Sequence, residues 1–181
     1  MNESSKSQSD PIPLSPTQVL RGEHRQIDEQ LNVLTAALRQ LGDRGPDSDV
    51  LDRIEKVARY IDREMAIHHR KEEDCLFPFL EEYLASENLR LDARIADHED
   101  LNIMNGKFKE ALSDCRQTDP GRRARFAAQM LKGYGLYIVH LVREHLLKED
   151  QILFLVADEY LTADQEAEIL ARFADIERQS A

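Results

Sequence analysis

The sequence predicts an all-α protein: an up-and-down antiparallel four-helix bundle with a disordered N-terminal tail and a short C-terminal fifth helix. Among its 181 residues are only seven glycines, six prolines and no tryptophan, a composition that favours helices over sheets. Apolar residues recur at steps of three and four along most of the chain, which indicates helices with one buried face. Four long stripes of this kind, separated by polar turns, predict four bundle helices in one domain.

The first helix is expected to begin near Pro16. Residues 1 to 15 mix Ser, Asn, Gln and Pro without apolar periodicity, so we expect a flexible tail there. Pro16 suits the first turn of a helix and Ser15 suits its N-cap. The first stripe then runs through Leu20, His24, Ile27, Leu31, Leu34, Leu38 and Leu41.

Each of the next three stripes also includes a histidine. The second stripe follows the break GDRGPDSD and reads Leu51, Ile54, Ala58, Ile61, Met65, His68, Glu72, Cys75 and Phe79. The third reads Leu91, Ile95, His98, Leu101, Phe108 and Leu112. The fourth follows the turn TDPG and reads Met130, Tyr134, Ile138, Leu141, His145, Glu149, Ile152 and Val156.

The C-terminal segment predicts one further short helix. Thr162 followed three residues later by Gln165 has the spacing of a capping box, which opens a helix to about Gln179. We expect this helix to pack outside the bundle. The predicted organisation is a tail at 1–15, the bundle at 16–161 and the packed C-terminal helix at 162–181.

Charge and composition exclude several function classes. The formal net charge of −11 opposes binding to nucleic acid. No apolar run approaches the roughly 20 residues that span a bilayer, and the first residues lack the apolar core of a signal peptide. We therefore expect a cytoplasmic protein with no membrane partner. Cys75 and Cys115 lack CxxC spacing and are interpreted as reduced thiols.

Histidines on four buried stripes need a common explanation. A buried polar group must be paired, since an unpaired charge there would cost several kcal/mol. Imidazole and carboxylate together suit first-row transition metals. With a rise of about 1.5 Å per residue, the histidines of the four antiparallel helices can fall at one height. The pattern therefore predicts a metal centre inside the bundle.

The second helix contributes two histidines and a glutamate to this centre. At about 100° per residue, Glu72 lies between His68 and His69 around the helix axis. Such a glutamate could bridge two metal ions, one held by each histidine. Glu73 lies roughly 140° from His68 and is the weaker candidate.

An internal match indicates the second bridging carboxylate. HHRKEEDCLFPFLEEYL at 68–84 aligns without gaps to HLLKEDQILFLVADEYL at 145–161. The alignment pairs Glu72 with Glu149, so Glu149 is the preferred candidate and Asp150 the alternative. His140 lies about 140° from His145 around the helix and is interpreted as a surface residue outside the centre.

These motifs resemble the hemerythrin and HHE cation-binding family over roughly residues 17 to 161. The matching elements are His24 within GEHRQI, His68-His69-x-x-Glu72 followed by LFP, His98-Glu99, and His145-x-x-x-Glu149. The resemblance implies a four-helix bundle around two carboxylate-bridged, non-haem iron ions. The ligands it implies are His24, His68, His69, Glu72, His98, His145 and Glu149.

The resemblance implies a di-iron protein that binds or reduces oxygen, peroxide or nitric oxide at an open iron position. Simple oxygen carriage is not expected, because Asn102 stands where respiratory hemerythrins have a further histidine. The alternative is a non-catalytic iron sensor or storage protein whose fold is stabilised by metal. Ferritin-like proteins need Glu-x-x-His pairs and many zinc enzymes need HExxH; neither motif occurs.

Overall fold

The computed structural model describes residues 14–41, 47–86, 91–119 and 121–180. These residues are almost entirely helical, and no β-strand occurs among them. The predicted all-α class is therefore confirmed. Most of the predicted flexible tail, residues 1–13, lies outside the described residues.

The described residues form seven α-helices and two π-helical segments. The α-helices are α1 (Pro16–Arg39), α2 (Ser48–Lys71), α3 (Phe77–Ser86), α4 (Leu91–Gln117), α5 (Arg122–Lys148), α6 (Phe154–Tyr160) and α7 (Ala163–Ser180). The π-helical segments are π1 (Glu72–Leu76), between α2 and α3, and π2 (Glu149–Leu153), between α5 and α6. The second and fourth bundle helices are thus continuous, and each contains one π-helical turn between two α-helical parts.

The four long helices, α1, α2, α4 and α5, form a bundle in which helices that are consecutive in the chain are neighbours. α1 packs on α2 and α5, and α4 packs on the same two helices. Short connections between consecutive helices make neighbours antiparallel. No helix in the described part of the chain is long and apolar enough to cross a membrane.

Two predicted helix starts carry the expected caps. The Gln18 backbone N–H donates to Ser15 Oγ at 3.2 Å, and the Ser15 N–H donates back to Gln18 Oε1 at 2.9 Å. The Gln165 N–H donates to Thr162 Oγ1 at 3.3 Å, and the Thr162 N–H donates to Gln165 Oε1 at 2.9 Å. These reciprocal bonds satisfy backbone groups that the first helical turn leaves free, which explains why α1 and α7 begin there.

Two apolar clusters divide the interior along the bundle axis. On α1, Leu20 belongs to one cluster and Ile27 to the other, with His24 between them. On the second bundle helix, Met65 and Cys75 belong to the two different clusters in the same way. The histidines therefore occupy a polar layer between two apolar regions.

The fourth stripe differs in part from its prediction. Met130 and Ile152 were expected to face the core, but they are 36% and 43% exposed, while Leu131 and Leu153 are buried. Repeated steps of four drift off a face whose period is about 3.6 residues, which explains Met130. The wider π turn that begins at Glu149 brings Leu153 inward in place of Ile152.

α7 packs on α2, π1 and α1. Its buried face consists of Ile169, Phe173 and Ile176, which belong to the same apolar cluster as Leu20 and Leu76. α7 therefore covers the bundle beside the turn of α2 that carries the predicted ligands. The division into separate units at 161 stays a prediction.

Candidate metal centre

The structure brings all seven predicted ligand residues into one buried layer. Each side chain comes from a predicted bundle helix, and none of the seven residues is more than 8% exposed. Potential ligand atoms lie within 4.8 Å of one another in three overlapping groups. These groups are His24, His68 and Glu149; His69, His98 and His145; and Glu72, His98, His145 and Glu149.

The first histidine group pairs α1 with α2. The Nε2 atoms of His24 and His68 are 3.0 Å apart. Glu149 Oε2 lies 3.4 Å from His24 Nε2 and 3.8 Å from His68 Nε2. Two imidazoles and a carboxylate oxygen therefore face one point.

The second histidine group contains three imidazoles. The rings of His69 and His98 are nearly parallel, with centroids 3.6 Å apart. The His145 ring stands edge-on to both, with centroids 5.5 Å from His69 and 4.8 Å from His98. This group is contributed by three different helices, α2, α4 and α5.

Each of the two buried carboxylates faces both histidine groups. Glu72 Oε1 lies 3.7 Å from His68 Nε2, whereas Glu72 Oε2 lies 3.5 Å from His98 Nε2. Glu149 directs Oε2 to the first group, as described, and Oε1 to His145 Nε2 at 2.8 Å. One oxygen of each carboxylate is thus directed to each group.

Further carboxylates contact His24 and His98 from the side that faces away from the layer. Asp150 Oδ1 lies 3.1 Å from His24 Nδ1, and Glu73 contacts His98 Nδ1. An Nδ1–H that donates to a carboxylate leaves the Nε2 lone pair facing the interior, which is the orientation of a metal-ligating histidine. Asp150 and Glu73 therefore lie outside the layer, and Glu149 and Glu72 lie inside it.

Glu23 is a functional candidate that sequence reasoning missed. Its Oε2 accepts a hydrogen bond of 2.9 Å from His68 Nδ1. The residue precedes His24 on α1, but its partner lies on a different helix. The spacing of residues within α1 does not indicate a contact with α2, so nothing in the single sequence marks Glu23 as a candidate.

Several buried polar atoms of the layer have no hydrogen-bond partner in the described part of the chain. They are His69 Nε2, His98 Nε2, both nitrogens of His145, and both carboxylate oxygens of Glu72 and Glu149. Buried polar atoms without partners are rare in folded proteins. Because most of these atoms belong to the groups that face one another, bound cations would supply the missing partners.

The buried charged groups of the layer shift one another's pKa values. Burial and the neighbouring Glu149 raise the pKa of Glu72. Burial opposes ionisation of Glu149, but His145 and the other histidines that face it hold its pKa well below the usual value.

The histidines respond to this charge in different ways. Burial disfavours the charged form of His68, but Glu72 and other carboxylates outweigh it and raise the pKa to about 10. Burial likewise opposes charge on His98, yet the carboxylates of Glu149 and Glu72 that face it raise its pKa to about 10. Burial and the charge of His98 lower the pKa of His69 to about 2. A cation would replace the protons held here.

Residues interpreted as lying outside the centre do so. His140 and Asn102 are exposed, and neither belongs to the groups that could hold a metal. Met65 and Cys75 are buried in the apolar clusters, as their positions on the second stripe predicted. Among the described residues, histidine and glutamate side chains form the polar layer, a donor set that suits first-row transition metals.

The comparisons with known proteins agree with this arrangement. The family model of the hemerythrin HHE cation binding domain matches residues 15–157, which includes all seven residues of the layer. No curated protein matches the chain. Because the match spans most of the chain and the donor groups that it implies are present, the chain belongs to the hemerythrin HHE cation-binding domain family.

Proposed function

We propose that the chain is a non-haem di-iron protein that binds or reduces oxygen, peroxide or nitric oxide at an open position of one iron. One observation carries this proposal: Glu72 and Glu149 each direct one oxygen to each histidine group. Two carboxylates shared in this way can bridge two metal ions. The seven predicted ligands are therefore proposed as the protein ligands of both ions.

The two proposed ions differ in their number of histidines. One ion would be held by His24 and His68, and the other by His69, His98 and His145. In the internal match, Leu146 is the counterpart of His69 and offers no ligand atom. The ion at His24 and His68 therefore has fewer protein ligands, which supports binding of an exogenous ligand there.

A surface cleft reaches the same side of the layer. It lies between α1 and α5, has a volume of about 460 Å³, and is lined by residues that include His24, Leu146, Leu147 and Asp150. A small molecule in this cleft would approach His24 from its outer side, where Asp150 also lies. The cleft supports access of a diatomic molecule or peroxide to the two-histidine ion.

The residues of the chain supply orientation and exclusion of water. Iron, when bound, would supply Lewis acidity and one-electron chemistry. Glu23 and Asp150 hold His68 and His24 through their Nδ1 atoms, so the Nε2 atoms stay directed at the metal. The apolar clusters on both sides of the layer limit contact with bulk water.

The proposal is tested by loading the purified chain with ferrous iron without oxygen. Oxygen, peroxide and nitric oxide are then added to separate samples, and iron content and visible absorption are measured. We expect two irons per chain and a spectral change with at least one of these molecules. Fewer than about one iron per chain, or no spectral response, would contradict the proposal.

A matched pair of histidine variants controls for loss of fold. His68→Ala should lose iron, because His68 is buried and faces two carboxylates of the layer. His140→Ala should load like the wild type, because His140 is exposed on the same bundle. Equal iron content in the two variants would refute the ligand assignment.

The alternative function is a non-catalytic iron sensor or storage protein. The packing of α7 beside the ligand-bearing turn of α2 favours the sensor, because a metal-dependent change there would alter an external helix. The thermal stability and protease sensitivity of metal-free and iron-loaded protein would be compared. Identical behaviour of the two forms would rule the sensor out.

A cytoplasmic location stays a prediction from composition.

A further inference from the structure

Lys71 is a buried ammonium group beside the proposed metal centre. It precedes Glu72, and the residue is only 1% exposed. Its Nζ donates to Glu23 Oε1 and, at 2.6 Å, to Glu177 Oε1. A buried charge of this kind is tolerated only when it is paired. Its two carboxylate partners come from two different helices, α1 and α7.

Glu23 connects this ion pair to a proposed ligand. One of its oxygens accepts from Lys71, and the other accepts from His68 Nδ1 at 2.9 Å. Contacts therefore run without a gap from Glu177 on α7 to Lys71 on α2, then to Glu23 on α1, and finally to the imidazole of His68. We call these four residues the relay.

Other contacts place α7 on the outer side of the same turn of α2. Arg70 Nη2 donates to Gln179 Oε1 at 3.1 Å. Lys71 Nζ lies 5.4 Å from the centre of the Phe173 ring. Residues 70 and 71 thus contact α7, while His68 and His69, which directly precede them, face the polar layer.

We propose that Glu177 is a positioning residue for the ion held by His24 and His68, and that α7 docking and metal binding stabilise each other. This inference rests on the proposed metal centre. Without the Glu177 carboxylate, Glu23 would be the remaining carboxylate of the relay for the buried ammonium. Lys71 would then interact more strongly with Glu23. This would weaken the hydrogen bond from His68 Nδ1 to Glu23, which orients the His68 ring.

Linkage requires the effect to operate in both directions. If docked α7 strengthens binding of the ion at His68, bound metal must strengthen docking of α7 by the same factor. The equality of the two factors applies to binding free energies, and the rate of metal release and the protection of α7 should both respond to the same coupling.

The first test measures iron release from the full chain. Wild type, Glu177→Gln and Glu168→Gln are loaded with ferrous iron without oxygen and challenged with a chelator. Glu168 is the matched control, because it also lies on α7 and pairs with Arg172 of the same helix, away from the relay. We expect Glu177→Gln to release one of its two ions roughly 5- to 10-fold faster. The second ion, and both ions of Glu168→Gln, should leave at the wild-type rate.

The second test measures hydrogen exchange of the α7 amides in metal-free and iron-loaded protein. Iron should slow exchange across Ala163–Ser180 in the wild type, and this protection should be reduced in Glu177→Gln. The wild-type comparison needs no variant, so it remains decisive even if Glu177→Gln does not fold.

The outcomes separate this inference from the proposed function. If the wild type binds two irons but Glu177→Gln releases both at the wild-type rate, the inference is overturned and the metal centre stands. Equal exchange of α7 with and without iron in the wild type overturns it as well. If the wild type takes up no iron, the proposed function and this inference both fall.

Discussion

Glu149 and Asp150 are neighbours, and both were candidates for the same bridging role. Glu149 is fully buried and faces both histidine groups. Asp150 instead contacts the outer nitrogen of His24 and the guanidinium of Arg21. The choice between them could not be made from spacing alone, because a histidine can be followed by a ligand at either the fourth or the fifth position.

This difference predicts unequal effects of two conservative variants. Glu149→Gln removes a charge that both ions share, so we expect it to lose at least one iron per chain. Asp150→Asn keeps an acceptor oxygen for His24 and should weaken iron binding by no more than about 10-fold. Chelator competition measures both affinities. If the two variants ranked in the opposite order, Asp150 would be the bridging residue.

The burial of the two cysteines leads to a second prediction at the residue scale. Burial, together with the charge of Asp114, raises the pKa of Cys115 to about 11, and burial raises the pKa of Cys75. The thiolate is the reactive form, so only about one Cys115 in a thousand would be ionised at pH 8. We expect slow labelling by a thiol reagent in the native chain, faster as pH rises, and fast labelling in guanidinium. Rapid native labelling at pH 8 would contradict the buried positions of both thiols.

At the scale of the helices, α5 packs tightly against its neighbours at Gly135. A Cβ atom there would lie 2.5 Å from Leu38 Cδ1 and 2.9 Å from Phe108 Cε2, and both of these side chains are buried. At Gly133, two residues earlier on the same helix, a Cβ would meet nothing within 4 Å. These two glycines provide a test in which helix propensity and packing have opposite effects.

Alanine at the two positions should change stability in opposite directions. Gly133→Ala should raise the free energy of unfolding by about 0.5–1 kcal/mol, because alanine is the better helix former. Gly135→Ala should lower it by about 1–3 kcal/mol, because the added methyl group overpacks the core. Urea denaturation of the metal-free chain measures both. A stabilising Gly135→Ala would show that α5 lies farther from α1 and α4 than described.

The π-helical segments show where prediction from periodicity ended. Counting 100° per residue placed Glu72 beside His68 correctly, because the two are four residues apart and the count crosses only the start of π1. Beyond that point the same counting expected Ile152 and Phe79 to face the core. Ile152 is exposed and Phe79 is only partly buried. A wider turn follows from a change in backbone hydrogen bonding, which leaves no mark in apolar spacing.

At the scale of the whole molecule, the clustering of the histidine and glutamate side chains was predictable. The charged residues that contact this cluster from outside were not. Helix rise and antiparallel order were enough to expect the histidines at one height. The contacts of Glu23, Lys71 and Glu177 join three helices far apart in sequence. Charged residues at such spacing are ordinarily on the surface, so nothing in a single sequence marked them as buried partners.

The central claim is that one chain holds two ions between two unequal histidine groups. The most direct measurement is a crystal structure of the iron-loaded chain with anomalous scattering recorded at the iron edge. We predict two peaks: one against His24 and His68, the other against His69, His98 and His145, with Glu72 and Glu149 between them. A single peak, or peaks away from this layer, would contradict the account.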